Sequence, residues 1–455
     1  MALADDLAKY VHSVGYNDLS RETIHSAKRV ILDTFGCAIG ASRSEPAEIV
    51  KKSIEYSKQD KTASVIGTQR KSIPQFAAFA NGTMARYFDY NDTYDGKEFA
   101  HPSDNIFPIV AVAEAEGKSG KDVVLGTVLA YEIQCRLADA ACLWKRGWDH
   151  VIYGLVSVAA VSSVLMRLNE KQTAHAINIA LSSHMTMRQL RSGELSMWKA
   201  PAFANSARNA IFSAVLAKNG MTGPAPIFEG EMGFWNEVSG KFQLDTVKFG
   251  NRKNRFKIND TLIKYFPAET RAQSAIWCAI EAKRMFNGTD EIKSVEIGTN
   301  EGGLRIIGSG KEKWDPQTKE TADHSLPYIV AAALIDGDIE IGTFSEKRFR
   351  DRKTLELMKR ITVVEKKEFT DLFNRGGTVN AADLIVKLKN GKAVRKKVIY
   401  SRGHPKNKMT DQELEEKFMK LTSSHINRDK IELLMHNIWN VERLADLSRL
   451  FQITR

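Results

Sequence analysis

Through most of the first 250 residues, apolar positions recur every three or four residues, the period of helices that bury one face. Ser20 stands where a capping side chain is needed, Ile24, Ala27, Ile31 and Phe35 follow on one face, and Gly36 marks the expected end. An apolar run at 107–116 carries Pro108 in its first turn and is closed by Gly117, since proline presets helical φ and glycine tolerates the left-handed turn that stops a helix. Helical spacing returns at 120–141, 155–168, 171–184 and 201–219, the last closed by Gly220. Little of this half alternates with period two, so it predicts an α-helical domain.

The pattern changes after Lys257. EIKSVEIGTN alternates as a strand does, and DLIVKLKNGKAVRKKVIY is two alternating runs joined by Asn390-Gly391, a pair suited to the left-handed backbone of a two-residue hairpin. Helical spacing at 268–286 and 325–335 makes this part α+β. Beyond Pro405 the helical period resumes at 411–421, 427–438 and 440–451. No internal repeat or low-complexity tract interrupts the chain.

With 455 residues, 43% hydrophobic and 27% charged, the composition is that of a globular chain long enough for two domains. The N-terminus MALADDLAKYVHSVGY has neither a basic start nor a long apolar run, and VIYGLVSVAAVSSVLM is too short and too interrupted to span a bilayer. A cytoplasmic chain with no membrane partner is expected. Cys37, Cys135, Cys142 and Cys278 are scattered, which suggests neither a disulfide framework nor iron–sulfur ligands. The net charge of +11 admits nucleic acid, an anionic surface or an anionic substrate as partner. Its densest runs (SEKRFRDRK, GKAVRKKVIYSRGHPKNK) lack the interleaved aromatics of a nucleic-acid motif and read as solvated surface, so no nucleic-acid partner is expected.

The chemistry concentrates in NGTMARYFDYNDTYDGKEFAHPSDN, residues 81–105, which crowds Asp89, Asp92, Asp95, Thr93 and His101 among aromatic rings. Pro102 pushes His101 toward extended backbone and ends any local helix. Asp89 and Thr93, four apart, would share a face if that stretch were helical. The acids fit no calcium loop, because no glutamate closes the spacing after Gly96, and NEGG at 300–303 lacks the lysine and hydroxyl of a phosphate loop. Neither a metal nor another cofactor is expected.

FDYNDTY followed by HPSDN resembles the signature of the MmgE/PrpD family, whose members include 2-methylcitrate dehydratases and, as relatives, cis-aconitate decarboxylase. RGWDHVIYG, GELSMWKA, MTGPAPIFEG, YFPAETRAQSA and TADHSLPYIVAAALIDG follow in the same order, covering nearly the whole chain. The resemblance implies a mostly α fold with an inserted α+β domain: a large helical domain of residues 1–258, completed by C-terminal helices at 405–455, and a lid-like domain at 259–404. It also implies a homodimer built through the helical domain.

Dehydration of a citrate-like substrate must remove a C–H proton beside a carboxylate and expel hydroxide, so it needs a base, an acid and cations for the carboxylates. His101 and His150 lie where the family carries active-site histidines and are expected as base and acid, in either order. Asp89 could orient a histidine, and Thr93 could donate to a substrate carboxylate. Lys199, between Trp198 and Ala200-Pro201, would hold an ammonium near a carboxylate. Arg191 would add a clamp, and Lys264 and Arg271, flanking FPAE, would grip the substrate from the second domain. His324 is either a third participant or a hydrogen-bonding group at the domain boundary, and Tyr328 is a further hydroxyl candidate. The string HPSDN and Glu269 look more like the dehydratase branch than the decarboxylase branch. A decarboxylase or isomerase of a small di- or tricarboxylate is the alternative within the class, and a silent anion-binding protein the alternative outside it.

Overall fold

In a computed structural model that describes residues 2–377 and 379–452, apolar side chains gather into two main cores. The first draws on residues from Leu3 to Ile263 and again from Met409 to Phe451; the second runs from Phe266 to Val394. The chain is mostly helical with a smaller α+β part, as the hydrophobic periods predict.

Helices Arg21–Gly40, Pro74–Arg86, Ile106–Ala115, Gly120–Ala140, Ile152–Leu165, Glu170–Ser183 and Ala202–Lys218 form the body of the first core, and Asp411–Thr422 and Arg428–Trp439 pack back onto it. Ser20 caps as expected, its Oγ accepting from the Thr23 N–H at 3.1 Å. The helix does not stop at Gly36 but continues to Gly40. The reason lies in packing: a Cβ at Gly36 would sit 2.9 Å from a ring carbon of Phe418, and one at Gly40 would sit 2.9 Å from the Leu421 carbonyl oxygen. Both glycines let helix Asp411–Thr422 approach. Gly40→Ala is therefore expected to destabilise the protein by about 1–3 kcal/mol, because a backbone carbonyl cannot rotate away as a side chain can; urea unfolding measures it, and an unchanged midpoint would refute the packing role.

The last expected helix, 440–451, is broken into a 3-10 turn at Val441–Arg443 and a short helix at Arg449–Gln452. Asp446 accepts from the Ser448 N–H and hydroxyl at 2.9 and 2.8 Å, local bonds that compete with helix, and the Leu444 carbonyl is taken by the Gly120 N–H at 2.8 Å.

The second core is a four-stranded sheet in the order Ile361–Glu365, Ile292–Thr299, Ala382–Leu388, Ala393–Val398, with helices Gln273–Lys283 and Leu326–Asp336 packed together beside it. The first pair is parallel and the others antiparallel. Asn390-Gly391 makes the predicted hairpin, with Gly391 at φ +86° and Lys387 opposite Ala393. The expected helix at 268–286 begins later, at Gln273, because the Glu269 carboxylate accepts from the Arg271 N–H at 2.6 Å and holds a 3-10 turn first.

The returning C-terminal helix reaches the junction between the cores. Lys417 Nζ pairs with Asp33 at 2.6 Å and donates to the carbonyls of Tyr90 and Lys264 at 2.9 and 2.8 Å. Among the described residues all four cysteines are free, and no helix is long and apolar enough to cross a membrane.

Candidate active site

Helix Pro74–Arg86 ends at the junction, and the chain turns at Asp89, whose φ of +50° is left-handed, a conformation that aspartate tolerates better than most residues. Thr93 then exchanges two 2.8 Å backbone hydrogen bonds with Leu262, and a short hairpin, Tyr94–Asp95 with Phe99–Ala100, delivers His101. Asp89 and Thr93 consequently do not share a helical face; the pairing with Leu262 takes this stretch out of helix.

His101, His150, Asp89, Lys264, Arg191, Arg271 and His324 line one cavity of about 700 Å³. Its walls come from both sides of the junction, and lysines and arginines outnumber carboxylates among its described lining residues. A polyanion is favoured there.

The two histidine rings lie 5.5 Å apart, centroid to centroid, at 62°. Nδ1 of His101 faces the Asp92 carbonyl at 2.8 Å; a carbonyl only accepts, so Nδ1 carries the proton and Nε2 accepts from Arg86 Nη2 at 2.9 Å. Burial, with the Arg86 and Lys264 charges, holds the His101 imidazole well below its usual range. His150 is held down to about 3 by burial, which the neighbouring Asp149 does not offset. Its Nδ1 has no hydrogen-bond partner among the described residues, and its Nε2 is 3.8 Å from Asp149. Both rings are neutral bases at neutral pH.

Asp89 is the hub of the cations. Its carboxylate pairs with Arg86, with Lys264 at 3.2 Å and with Lys199 at 3.9 Å, and His324 Nε2 is 3.7 Å away. Burial pushes this carboxyl up, but Arg86, Lys199 and Lys264 outweigh it and hold it well below the carboxylate range. Lys264 Nζ also donates to the Asp89 carbonyl at 2.6 Å. Asp323 forms a second hub, 3.5 Å from Lys199, 2.8 Å from Lys319 and 2.5 Å from His324 Nδ1. Burial and Lys199 hold His324 at about 4, and burial brings Lys199 down to about 8.

Arg191 and Arg188 both donate to Asp149, at 2.8 and 3.0 Å, so the expected clamp is itself held from behind. Arg271 pairs with Glu269 and stacks over the Phe99 ring at 3.7 Å. Three expected site residues do not reach the cavity wall. Lys199 lies behind Asp89 and His324, where its carboxylate partners are Asp89 and Asp323. Thr93 sits behind His101, its hydroxyl 2.8 Å from that of Thr270 and 3.2 Å from His101 Nδ1. Tyr328 is buried in the second core, where its hydroxyl donates to the Thr343 carbonyl, so it offers no group to a substrate in the cavity.

Sequence reasoning passed over Arg86, Asp149 and Asp323. Each is a charge inside one of the motif strings, in TMARYF, GWDHV and TADHS, next to or within a few residues of a group that was noticed. Position within the motifs was the signal the sequence offered; that each charge is buried and must therefore find a partner is visible only in the fold. The acids of the 81–105 stretch do not converge as metal ligands: Asp92 accepts from the Tyr131 hydroxyl and the Ser103 N–H, and Asp95 from Asn380. Asp89, Asp323 and His324 do present ligand atoms within 4.8 Å of one another, but Arg86, Lys199, Lys264 and Lys319 already compensate those carboxylates.

The profile of the MmgE/PrpD N-terminal domain matches residues 5–247, and that of the MmgE/PrpD C-terminal domain matches 266–441. A protein of Yarrowia lipolytica named "2-methylcitrate dehydratase, mitochondrial" is 30% identical, over 82% of this chain and 74% of its own. The "2-methylcitrate dehydratase" of Salmonella typhimurium is 28% identical, over 80% and 78%. A "cis-aconitate decarboxylase-like protein" of Aspergillus oryzae is 24% identical, over 98% and 96%.

Proposed function

The chain belongs to the MmgE/PrpD family, and on that premise we propose that it is a hydro-lyase converting 2-methylcitrate, or a close citrate analogue, to the corresponding cis-aconitate-type alkene. The observation that carries this reading is the pair of buried, neutral imidazoles 5.5 Å apart at the wall of a cationic cavity. One imidazole takes the C–H proton beside a substrate carboxylate. The imidazolium so formed, or its neighbour once protonated, delivers a proton to the departing hydroxyl, so that water leaves as the double bond forms. Lys264 and Arg271, at the wall, act on the substrate carboxylates, Asp89 holds the cations in place, and Arg191 is steadied by Asp149. Lys199 acts through Asp89 and His324.

The names of the Yarrowia and Salmonella relatives favour dehydration, and that of the Aspergillus relative favours decarboxylation of the alkene as the second reading. Purified protein incubated with 2-methylcitrate isomers, citrate, cis-aconitate and isocitrate, with and without chelator, separates them. Alkene absorbance that survives chelation supports the proposal, release of carbon dioxide supports the second reading, and chelator-sensitive turnover means that a metal participates.

The pH profile carries a further expectation. Because the imidazoles stay neutral well below the ordinary 6.5, kcat/KM is expected to show no acid limb from pH 7 down through 5, after allowance for substrate ionisation. Toward higher pH, Asp95 and Glu98, whose ionisation burial pushes up to about 7, become charged, and Lys199 loses its proton at about 8. Both changes weaken the hold on a polyanion, so KM is expected to rise there. An acid limb at 6.5 would contradict the neutral-base reading.

An α+β lid over about 259–404, supported by the second core from Phe266 to Val394, closes on a helical body completed by the C-terminal helices. Homodimerisation is tested by sedimentation velocity, and a cytoplasmic location by fractionation.

A further inference from the structure

Arg86 ends its helix inside the protein, 3% exposed, with its guanidinium at the cavity wall. Nη1 donates to Asp89 and, at 3.3 Å, to Asn91 Oδ1; Nη2 donates to Nε2 of His101 at 2.9 Å. Nε lies 3.9 Å from Asp104 Oδ2, and neither of these two atoms has a hydrogen-bond partner among the described residues. With Nδ1–H of His101 committed to the Asp92 carbonyl, Nε2 carries the ring's basic lone pair, and the guanidinium covers it. A base hydrogen-bonded through that lone pair cannot take a proton until the bond is exchanged. A guanidinium, always charged and planar, bonds a carboxylate more strongly than a neutral imidazole, because the bond is charge-assisted and the fork fits.

We propose that Arg86 both binds a substrate carboxylate and gates the His101 base: the carboxylate takes over Nη2, and that exchange uncovers Nε2. The inference rests on the polycarboxylate reading above. One hydrogen bond, from N–H to imidazole nitrogen, is replaced by one from N–H to carboxylate oxygen; Arg86 stays a cation, and Nε2 is left to accept the C–H proton. The charged and titratable groups that act most strongly on His101 are Arg86 and Asp89 at the end of the helix, Lys264 from the segment after Leu262, and His150 from the head of helix Ile152–Leu165. Asp89 favours the imidazolium, whereas Arg86 and Lys264 oppose it, so loss of Arg86 raises the basicity of the ring.

The test uses the full-length chain labelled with ¹⁵N-histidine and the probe tricarballylate, a tricarboxylate with no hydroxyl to lose; His101→Asn assigns the resonance. In the wild type, tricarballylate is expected to shift the Nε2 resonance of His101 while the ring stays neutral. Arg86→Lys keeps a positive charge beside Asp89, and so the fold, but loses the fork. Its His101 resonance is expected to be displaced before ligand is added, with tricarballylate bound about ten- to a hundredfold more weakly, the loss of a hydrogen bond between charged groups. Arg86→Gln is expected to move the His101 titration up toward 6.5, a change that a merely structural arginine would not produce. Binding that leaves the His101 resonance unmoved, or undiminished affinity in Arg86→Lys, overturns the inference and leaves the polycarboxylate reading intact. Failure of the wild type to bind tricarballylate removes both.

Discussion

Alanine at His101 or at His150 is expected to lower turnover of 2-methylcitrate by about 10²- to 10⁴-fold, the worth of a positioned acid or base. The two variants should differ in stability, and the difference makes the activity loss interpretable. His101 accepts from Arg86 and donates to the Asp92 carbonyl, so its removal leaves a buried guanidinium N–H unpaired, at a cost of about 1–3 kcal/mol. His150 has a nitrogen with no hydrogen-bond partner among the described residues, and its replacement removes mainly ring packing. A buried ring nitrogen without a partner carries a cost that a catalytic role would explain, and because its loss breaks no hydrogen bond among the described residues, His150→Ala is the sharper test. Alkene absorbance gives the rate, and thermal unfolding gives the stability. Wild-type turnover in a variant would take that histidine out of the reaction.

Asp89→Asn should cost the fold more than either histidine variant. Asparagine keeps the size of the side chain and tolerates the same left-handed backbone at φ +50°, so the substitution removes charge without adding strain. Arg86, Lys264 and Lys199 would then face one another around a neutral amide. Stripping one partner from a buried ion pair costs about 3–5 kcal/mol, because the remaining charge stays buried without compensation. Asp89 is held below the ordinary carboxyl value of 3.8, so its contribution is fully present above that pH and is lost as pH falls through the lower folded value. The urea midpoint of Asp89→Asn is therefore expected to lie well below that of the wild type at pH 7, with the gap narrowing only under strong acid. A gap of less than about 1 kcal/mol at pH 7 would mean that the cations are compensated elsewhere. Turnover should fall too, since Lys264 and His324 would lose the carboxylate that fixes them.

The hydrophobic period of the chain was enough to give the helical body and the change to α+β after Lys257, and the Asn390-Gly391 turn pair gave the hairpin, because each depends on contacts a few residues apart. Its errors have the same origin. Gly36 reads as a terminator when only neighbours are considered, and the contact that explains it, Phe418, is almost four hundred residues away. The expected face shared by Asp89 and Thr93 failed because backbone pairing with Leu262, distant in sequence, overrides local helix.

Residue type and motif brought His101, His150, Asp89, Lys264, Arg191, Arg271 and His324 to notice, and the fold gathers them at one cavity. Sequence alone thus determined which ionisable groups the protein has, and which stretches must bury an apolar face. It could not determine their partners. That Lys199 serves protein carboxylates, that Tyr328 turns into the second core, and that Arg86 rests on the base all depend on chain segments meeting at a junction. A buried charge's partner and protonation follow from what surrounds it in space, and only the tertiary structure specifies those surroundings.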